Sequence, residues 1–378
     1  MKIVFTGGGT AGHIFPILAI IREIKKNYPD LKFRPYYIGP GPDKYISELF
    51  KKEEIKIKEI FTGKLRRYFS LENFFDLFKL PIGLIQAFFW LFFLGPDLIF
   101  SKGGYGSFPV AFWANIFGIP LFLHESDSVL GLASKIESKW AQEIFLSFPI
   151  IDFLPQSKGI VIGNPVREEI LKGSKEEAQK IFNLQGNKPL ILILGGSQGA
   201  QKINEVILEI LPAFLKDFEL IHQTGEKNFL EIKKEAEAIL IEEELKKNYH
   251  PFPFLEEEFL KHGLAAADLV ISRAGAGAIF EISAAGKPIL LVPLSHSAQG
   301  HQLKNAYFFV QKGGGEVIEE SNFIPHFLLT KLKHLFSRPD LLIKMAINSK
   351  NFSQSNAAKI IGCYLVDYFI QLSNNKGN

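Results

Sequence analysis

At 378 residues the chain is long for one hydrophobic core and comfortable for two. A formal net charge of +3 with 22% charged residues argues against nucleic-acid binding as the main function. A single cysteine, Cys363, excludes an internal disulfide framework and a multi-cysteine metal site, and fits a reducing compartment.

The first apolar run, Ile3 to Phe5, reaches Gly7 too soon for a secretory leader, so the start reads as the first strand of a domain. It enters Gly7-Gly8-Gly9-Thr10-Ala11-Gly12-His13, a Gly-x-Gly-x-x-Gly turn. Ile14, Ile17, Leu18, Ile21 and Ile24 follow at helical spacing, with Pro16 expected in the first turn. Backbone N–H groups of such a loop can receive anionic oxygens. The next strand ends Tyr37-Ile38-Gly39-Pro40-Gly41 without the acid that a dinucleotide site places on ribose, which argues against a dehydrogenase. His13, at the mouth of the helix, either takes a proton from a substrate hydroxyl or caps its own helix.

Ile82 to Leu94 is apolar and aromatic, and Pro81 and Gly95-Pro96 bound it. It is too short to span a bilayer and reads as a core helix or an interfacial one. Lys64, Arg66, Arg67 and Lys79 upstream would suit an anionic membrane surface.

Residues 97 to 109, Asp-Leu-Ile-Phe-Ser-Lys-Gly-Gly-Tyr-Gly-Ser-Phe-Pro, form a strand and a polar loop that includes Gly103, Gly104 and Tyr105. After Gly118-Ile119-Pro120 a further strand, Leu121 to Leu123, ends in His124-Glu125-Ser126-Asp127. That is the ligand-binding edge of an open parallel sheet, where these polar groups could bind a sugar, act as base or be solvated. No second histidine follows at helical spacing, so this is not a metal motif. Gly159 to Pro165 reads as the hinge, and Arg167 just beyond it could pair with a diphosphate or with a surface acid.

The second half repeats the plan. Leu190 to Leu194 runs into Gly195-Gly196-Ser197-Gln198-Gly199, and Ile203, Val206, Ile207, Ile210 and Leu211 follow as a helix. Residues 268 to 280 repeat the block at 97 to 109, again followed by Gly-x-Pro at Gly286-Lys287-Pro288. Ala276, Gly277, Ala278, Ile279, Phe280 and Glu281 open a helix whose small residues permit close approach of a ligand. Glu281 could accept from ribose hydroxyls or answer the helix dipole. Gln302, in His301-Gln302-Leu303-Lys304-Asn305, suits sugar hydroxyls. The tail carries Ile360, Ile361, Leu365, Phe369 and Ile370 at helical spacing and closes either domain. Strands alternating with helices specify parallel sheets covered on both faces, here an α/β chain of two similar units facing a central cleft.

Gly8-Gly9-Thr10-Ala11-Gly12-His13, Gly103-Gly104-Tyr105, His124-Glu125, Gly163-Asn164-Pro165-Val166-Arg167, Gly195-Gly196-Ser197-Gln198-Gly199 and His301-Gln302 with Asn305-Ala306 together resemble the MurG family of glycosyltransferase family 28. The resemblance spans nearly the whole chain. It implies the GT-B fold, two Rossmann-like domains: residues 1–164 completed by a last helix at 352–378 on the acceptor and membrane side, and residues 165–351 binding UDP-N-acetylglucosamine. It implies inverting transfer of N-acetylglucosamine to the 4-hydroxyl of a lipid-linked muramoyl-pentapeptide, in peptidoglycan synthesis. The protein would be peripheral, on the cytoplasmic face of an anionic inner membrane, with no cofactor, metal or nucleic acid.

By position, Thr10, Ala11, Gly12, Arg167, Ser197, Leu255, Ala276 to Glu281 and Gln302 would hold the donor, with Gly103, Gly104 and Tyr105 on the acceptor side. The base would be His13 or one of His124, Glu125 and Asp127. Ala11 replaces the family's usual glycine, and Ser126-Asp127 replaces a Gln-Asn pair. A carboxylate at 127 accepts but does not donate, which alters any donor contact there and admits Asp127 as a base. A related UDP-sugar enzyme, such as a 2-epimerase or another transferase, and a non-catalytic sugar-nucleotide-binding component are the alternative readings.

Overall fold

The computed structural model describes residues 1–63, 71–149, 159–196, 199–353 and 356–376. The chain divides into two compact units, Met1–Val166 with Ser355–Asn378, and Arg167–Gln354.

The first unit is built on seven parallel strands: β1 (Lys2–Thr6), β2 (Arg34–Gly39), β3 (Lys56–Glu59), β4 (Leu98–Ser101), β5 (Leu121–Glu125), β6 (Glu143–Leu146) and β7 (Gly159–Val161). Their order is β3-β2-β1-β4-β5-β6-β7. Ile3, Val4 and Phe5 are all fully buried, as expected of a strand covered on both faces, and Phe5 is in register with Phe100 of β4. The helix after β1 begins at Ala11, so Pro16 falls in its second turn and not its first. There it cannot donate to the Gly12 carbonyl, and one helical bond beside the glycine turn is lost.

The last helix, Ala357–Lys376, packs on Ala11–Asn27 inside this first unit. A Cβ at Gly362 would lie 3.2 Å from Ile24 Cγ1, so the absent side chain is what lets the two helices meet this closely. Tyr364 and Tyr368 stack edge-on against Phe122. Ile361, Leu365 and Val366 are buried, whereas Ile360 and Ile370 of the expected apolar face are exposed.

The second unit has six parallel strands: β8 (Leu190–Leu194), β9 (Glu219–Gln223), β10 (Tyr249–Phe252), β11 (Leu269–Ser272), β12 (Ile289–Leu291) and β13 (Gly315–Val317). The order β10-β9-β8-β11-β12-β13 repeats that of the first six strands of the first unit, without a counterpart of β7. In each sheet the chain reverses its direction of winding between the first strand and the strand of the repeated block, β1 and β4 or β8 and β11. Loops at the carboxyl ends of such a pair enclose the place where open α/β sheets bind ligands.

Candidate active site

In the first unit, the loops leaving β1 and β4 meet around the His13 ring. A Cβ on Gly8 would lie 2.9 Å from the imidazole, and one on Gly104, where φ is +87°, would lie 3.1 Å from its Cε1. These two positions need glycine for the loops to close on the ring. His13 Nδ1 lies 3.2 Å from the Lys102 carbonyl, which can only accept, so Nδ1 carries the proton and Nε2 keeps a lone pair. Burial and the Lys102 cation lower the pKa of His13, while the Asp127 carboxylate opposes them. The Thr10 carbonyl accepts from the His13 and Ile14 amides and starts the helix. Thr10 and Gly12 are exposed, and Ala11 packs partly into the first core.

His124, Glu125 and Asp127 do not share one role. His124 is fully buried; its Nε2 donates to the Gly163 carbonyl at 3.1 Å and its Nδ1 accepts from the Lys102 ammonium. With both ring nitrogens engaged and its pKa well below the usual value through burial, it is no base for a substrate. Glu125 accepts from the amides of Asp127 and Gly131 at 3.2 and 3.3 Å and so braces the loop between them. Burial raises its pKa. Asp127 is half-buried and acts electrostatically on both His13 and Lys102.

Two buried groups given no role by the sequence, Lys102 and Glu137, hold this arrangement. Lys102, 1% exposed, also donates to Ser126 Oγ at 2.7 Å, and Ser126 donates to Asn164 Oδ1 at 3.0 Å. Under the Gly103-Gly104 turn, the fully buried Glu137 accepts from Ser101 and Ser107 at 2.5 Å each. Burial pushes its carboxyl up to about 7. A single buried Lys or Glu has no distinguishing periodicity, so only the fold reveals these partners.

In the second unit, the helix Ala276–Ala284 starts behind β11 with its first-turn amides at the carboxyl edge. That end carries partial positive charge and unpaired N–H groups suited to phosphate. Ile279 and Phe280 are buried at 0% and 1%, so their side chains belong to the core and only their backbone can serve a ligand. Ala276 is buried and Gly277 and Ala278 partly so, leaving little side-chain bulk at the helix end. Glu281 is tied to Arg167: Nε donates to its Oε1 at 2.9 Å, and Nη1 donates to Glu257 at 3.2 Å. Arg167, 1% exposed, therefore orients an acid at the candidate nucleotide site.

Leu255 is buried, and its amide donates to the Gln223 side chain at 3.0 Å. Gln302 Oε1 accepts from the Leu294 amide at 3.0 Å and holds the loop after β12. Ser197 lies outside the described residues; the flanking Gly196 and Gly199 have φ of +76° and +78°.

The helix Leu71–Leu94 has two faces. Ala87 and Leu91 are buried, and Trp113 of the neighbouring helix Phe108–Phe117 bonds the Leu84 carbonyl at 2.7 Å. Ile82, Ile85, Phe89, Phe92 and Phe93 are exposed, Phe93 by 77%, so the helix is not a core helix alone. Lys58 lies over the Trp90 ring at 4.2 Å, and Lys79 is exposed; Lys64, Arg66 and Arg67 lie outside the described residues. Among the described residues no helix is long and apolar enough to cross a membrane.

Two parallel α/β units, each with glycine loops at a topological switch point, place the chain in the GT-B class of fold. Residues 3–146 match the glycosyltransferase family 28 N-terminal domain and residues 190–361 the glycosyltransferase family 28 C-terminal domain. The chain belongs to glycosyltransferase family 28. It is 40% identical, over 94% of each chain, to the UDP-N-acetylglucosamine--N-acetylmuramyl-(pentapeptide) pyrophosphoryl-undecaprenol N-acetylglucosamine transferase of Clostridium tetani. The crystal structure of Acinetobacter baumannii MurG is similar with a TM-score of 0.71 at 25% identity, covering 97% of this chain and 99% of that one. A UDP-GlcNAc 2-epimerase from Neisseria meningitidis has a TM-score of 0.67 at 18% identity, covering 97% of this chain and 100% of that one, a likeness of fold alone.

Proposed function

We propose that the chain transfers N-acetylglucosamine from UDP-N-acetylglucosamine, with inversion, to the 4-hydroxyl of an undecaprenyl-diphospho-N-acetylmuramoyl-pentapeptide. The second unit holds the nucleotide sugar, and the first supplies the acceptor loops and the base. The observation that carries this reading is the contrast between the two switch points. One presents an imidazole whose Nε2 keeps a lone pair, under the influence of the Asp127 carboxylate; the other presents a helix N-terminus and an oriented acid.

His13 Nε2 takes the proton of the acceptor hydroxyl as that oxygen attacks the anomeric carbon. The bond from that carbon to the diphosphate breaks, and its electron pair leaves on UDP. Asp127 stabilises the imidazolium that forms, as a carboxylate beside a catalytic histidine does. First-turn amides of Ala276–Ala284 and the glycine loop after β8 receive the charge of the departing diphosphate. Glu281 accepts from ribose, Gln302 serves sugar hydroxyls, the Leu255 segment faces the base, and Ser197 and the Thr10 to Gly12 amides complete the donor contacts. Gly103, Gly104 and Tyr105 line the acceptor side.

The exposed apolar stripe of Leu71–Leu94, bordered by lysines, supports peripheral binding to an anionic membrane, and the cytoplasmic face is the one the proposed substrates would require. Incubation with labelled UDP-N-acetylglucosamine and the lipid-linked muramoyl-pentapeptide tests the reaction. Labelled lipid-linked disaccharide and free UDP are expected. Release of a 2-epimer, or nucleotide binding without transfer, contradicts the proposal.

A further inference from the structure

The Lys102 ammonium is the most deeply buried cation of the first unit's site, and the reaction as described gives it no part. We infer that Lys102 is a positioning residue for His13: its carbonyl selects the tautomer, and its ammonium supplies the charge that keeps the imidazole unprotonated until the acceptor arrives. The inference rests on the reading of His13 as the base.

The backbone part follows from β4. The Lys102 amide donates to the Thr6 carbonyl at 2.8 Å, which fixes the strand end and leaves its own carbonyl 3.2 Å from His13 Nδ1. The side-chain part follows from what surrounds the ammonium. His124 Nδ1 and Ser126 Oγ accept from it, and each is held in turn, His124 by the Gly163 carbonyl and Ser126 by Asn164. Three segments of chain therefore converge to place one cation. An apolar side chain of the same length would fill this volume without the cost of a buried charge, so packing alone does not account for a lysine here.

The charged groups acting on His13 are Lys102, from the loop after β4, and Asp127, from the loop after β5; Gly8 and Gly104 supply only backbone against the ring. Glu125 and Asp127 act on Lys102 itself. Burial pushes the Lys102 ammonium down to about 7, and it is therefore charged over the acid range in which His13 would gain a proton. Lysine cation and aspartate anion pull the imidazole in opposite directions. Removing the cation leaves the Asp127 carboxylate unopposed at the ring, and protonation of His13 then begins at higher pH.

The test is a proton NMR titration of the histidine Cε1–H signals in wild type, Lys102→Gln and Lys102→Met, with His13 assigned by its loss in His13→Gln. The methionine variant carries no buried charge and covers the case in which the glutamine variant does not fold. In either variant the His13 midpoint moves to higher pH, and the acid limb of kcat/KM for transfer moves with it. An unmoved or lowered His13 midpoint overturns the inference, since a merely structural lysine would alter stability alone. A midpoint that moves while the acid limb stays in place upholds the Lys102 role and overturns His13 as the base.

Discussion

Glu137 shows how much of this site is support. Its carboxyl is fully buried under the Gly103-Gly104 turn with two serine hydroxyls as partners, and burial raises it from 4.5 to about 7. The folded chain thus holds this proton more tightly than the unfolded one. Below pH ~4.5 both states are protonated and nothing is lost; as pH rises toward ~7 the unfolded chain ionises first and stability falls; above that the loss is complete. Glu137→Gln removes the ionisation and keeps an amide that the serines can engage. Its stability relative to wild type is expected to grow between pH 5 and pH 7.5, by about 3 kcal/mol at most. Denaturant unfolding at the two pH values measures it, and a gain that is equal at both contradicts a neutral, buried Glu137.

At this scale the sequence was only partly legible. His13 and His124 are both histidines at strand or helix ends, and nothing in the local string tells them apart. The difference is what their nitrogens meet: His13 spends one on the Lys102 carbonyl, and His124 spends both. Arg167 likewise reads as a phosphate ligand by type, while the fold pairs it with Glu257 and Glu281.

Among the elements, the repeated blocks were legible because two parallel sheets impose the same pattern twice. Both blocks fall on the strand beside the first one, β4 in one unit and β11 in the other. The helix Leu71–Leu94 was less so, since apolar residues on nearly every position erase the usual contrast between faces. Its inner face follows from close approach: a Cβ on Gly83 would collide with the Phe61 carbonyl at 1.9 Å. The outer face carries Phe89 and Phe93, whose rings stack on each other 6.3 Å apart. Burying a phenylalanine is worth about 1.5–3 kcal/mol, roughly tenfold or more in affinity. The double variant Phe89→Glu with Phe93→Glu is therefore expected to lower binding to anionic vesicles at least ~100-fold, with nucleotide binding retained. Sedimentation unchanged from wild type would return this face to some other use.

For the whole molecule, the two units share a strand order and differ in what their switch points carry. Glycine loops after the first strand of each half announced that plan, and the family match covers both units. The helical spacing of the tail would suit either domain and only the family resemblance assigned it to the first, where Ile361, Leu365 and Val366 are buried in the first core. The division of labour makes a definite demand. On the proposed reaction, His13 serves proton transfer and not nucleotide binding. The measurement that tests this most directly is the single-turnover transfer rate of His13→Gln at saturating UDP-N-acetylglucosamine. A loss of roughly 100-fold to 10,000-fold is predicted, with the Kd for UDP unchanged. A rate close to that of wild type would contradict the account.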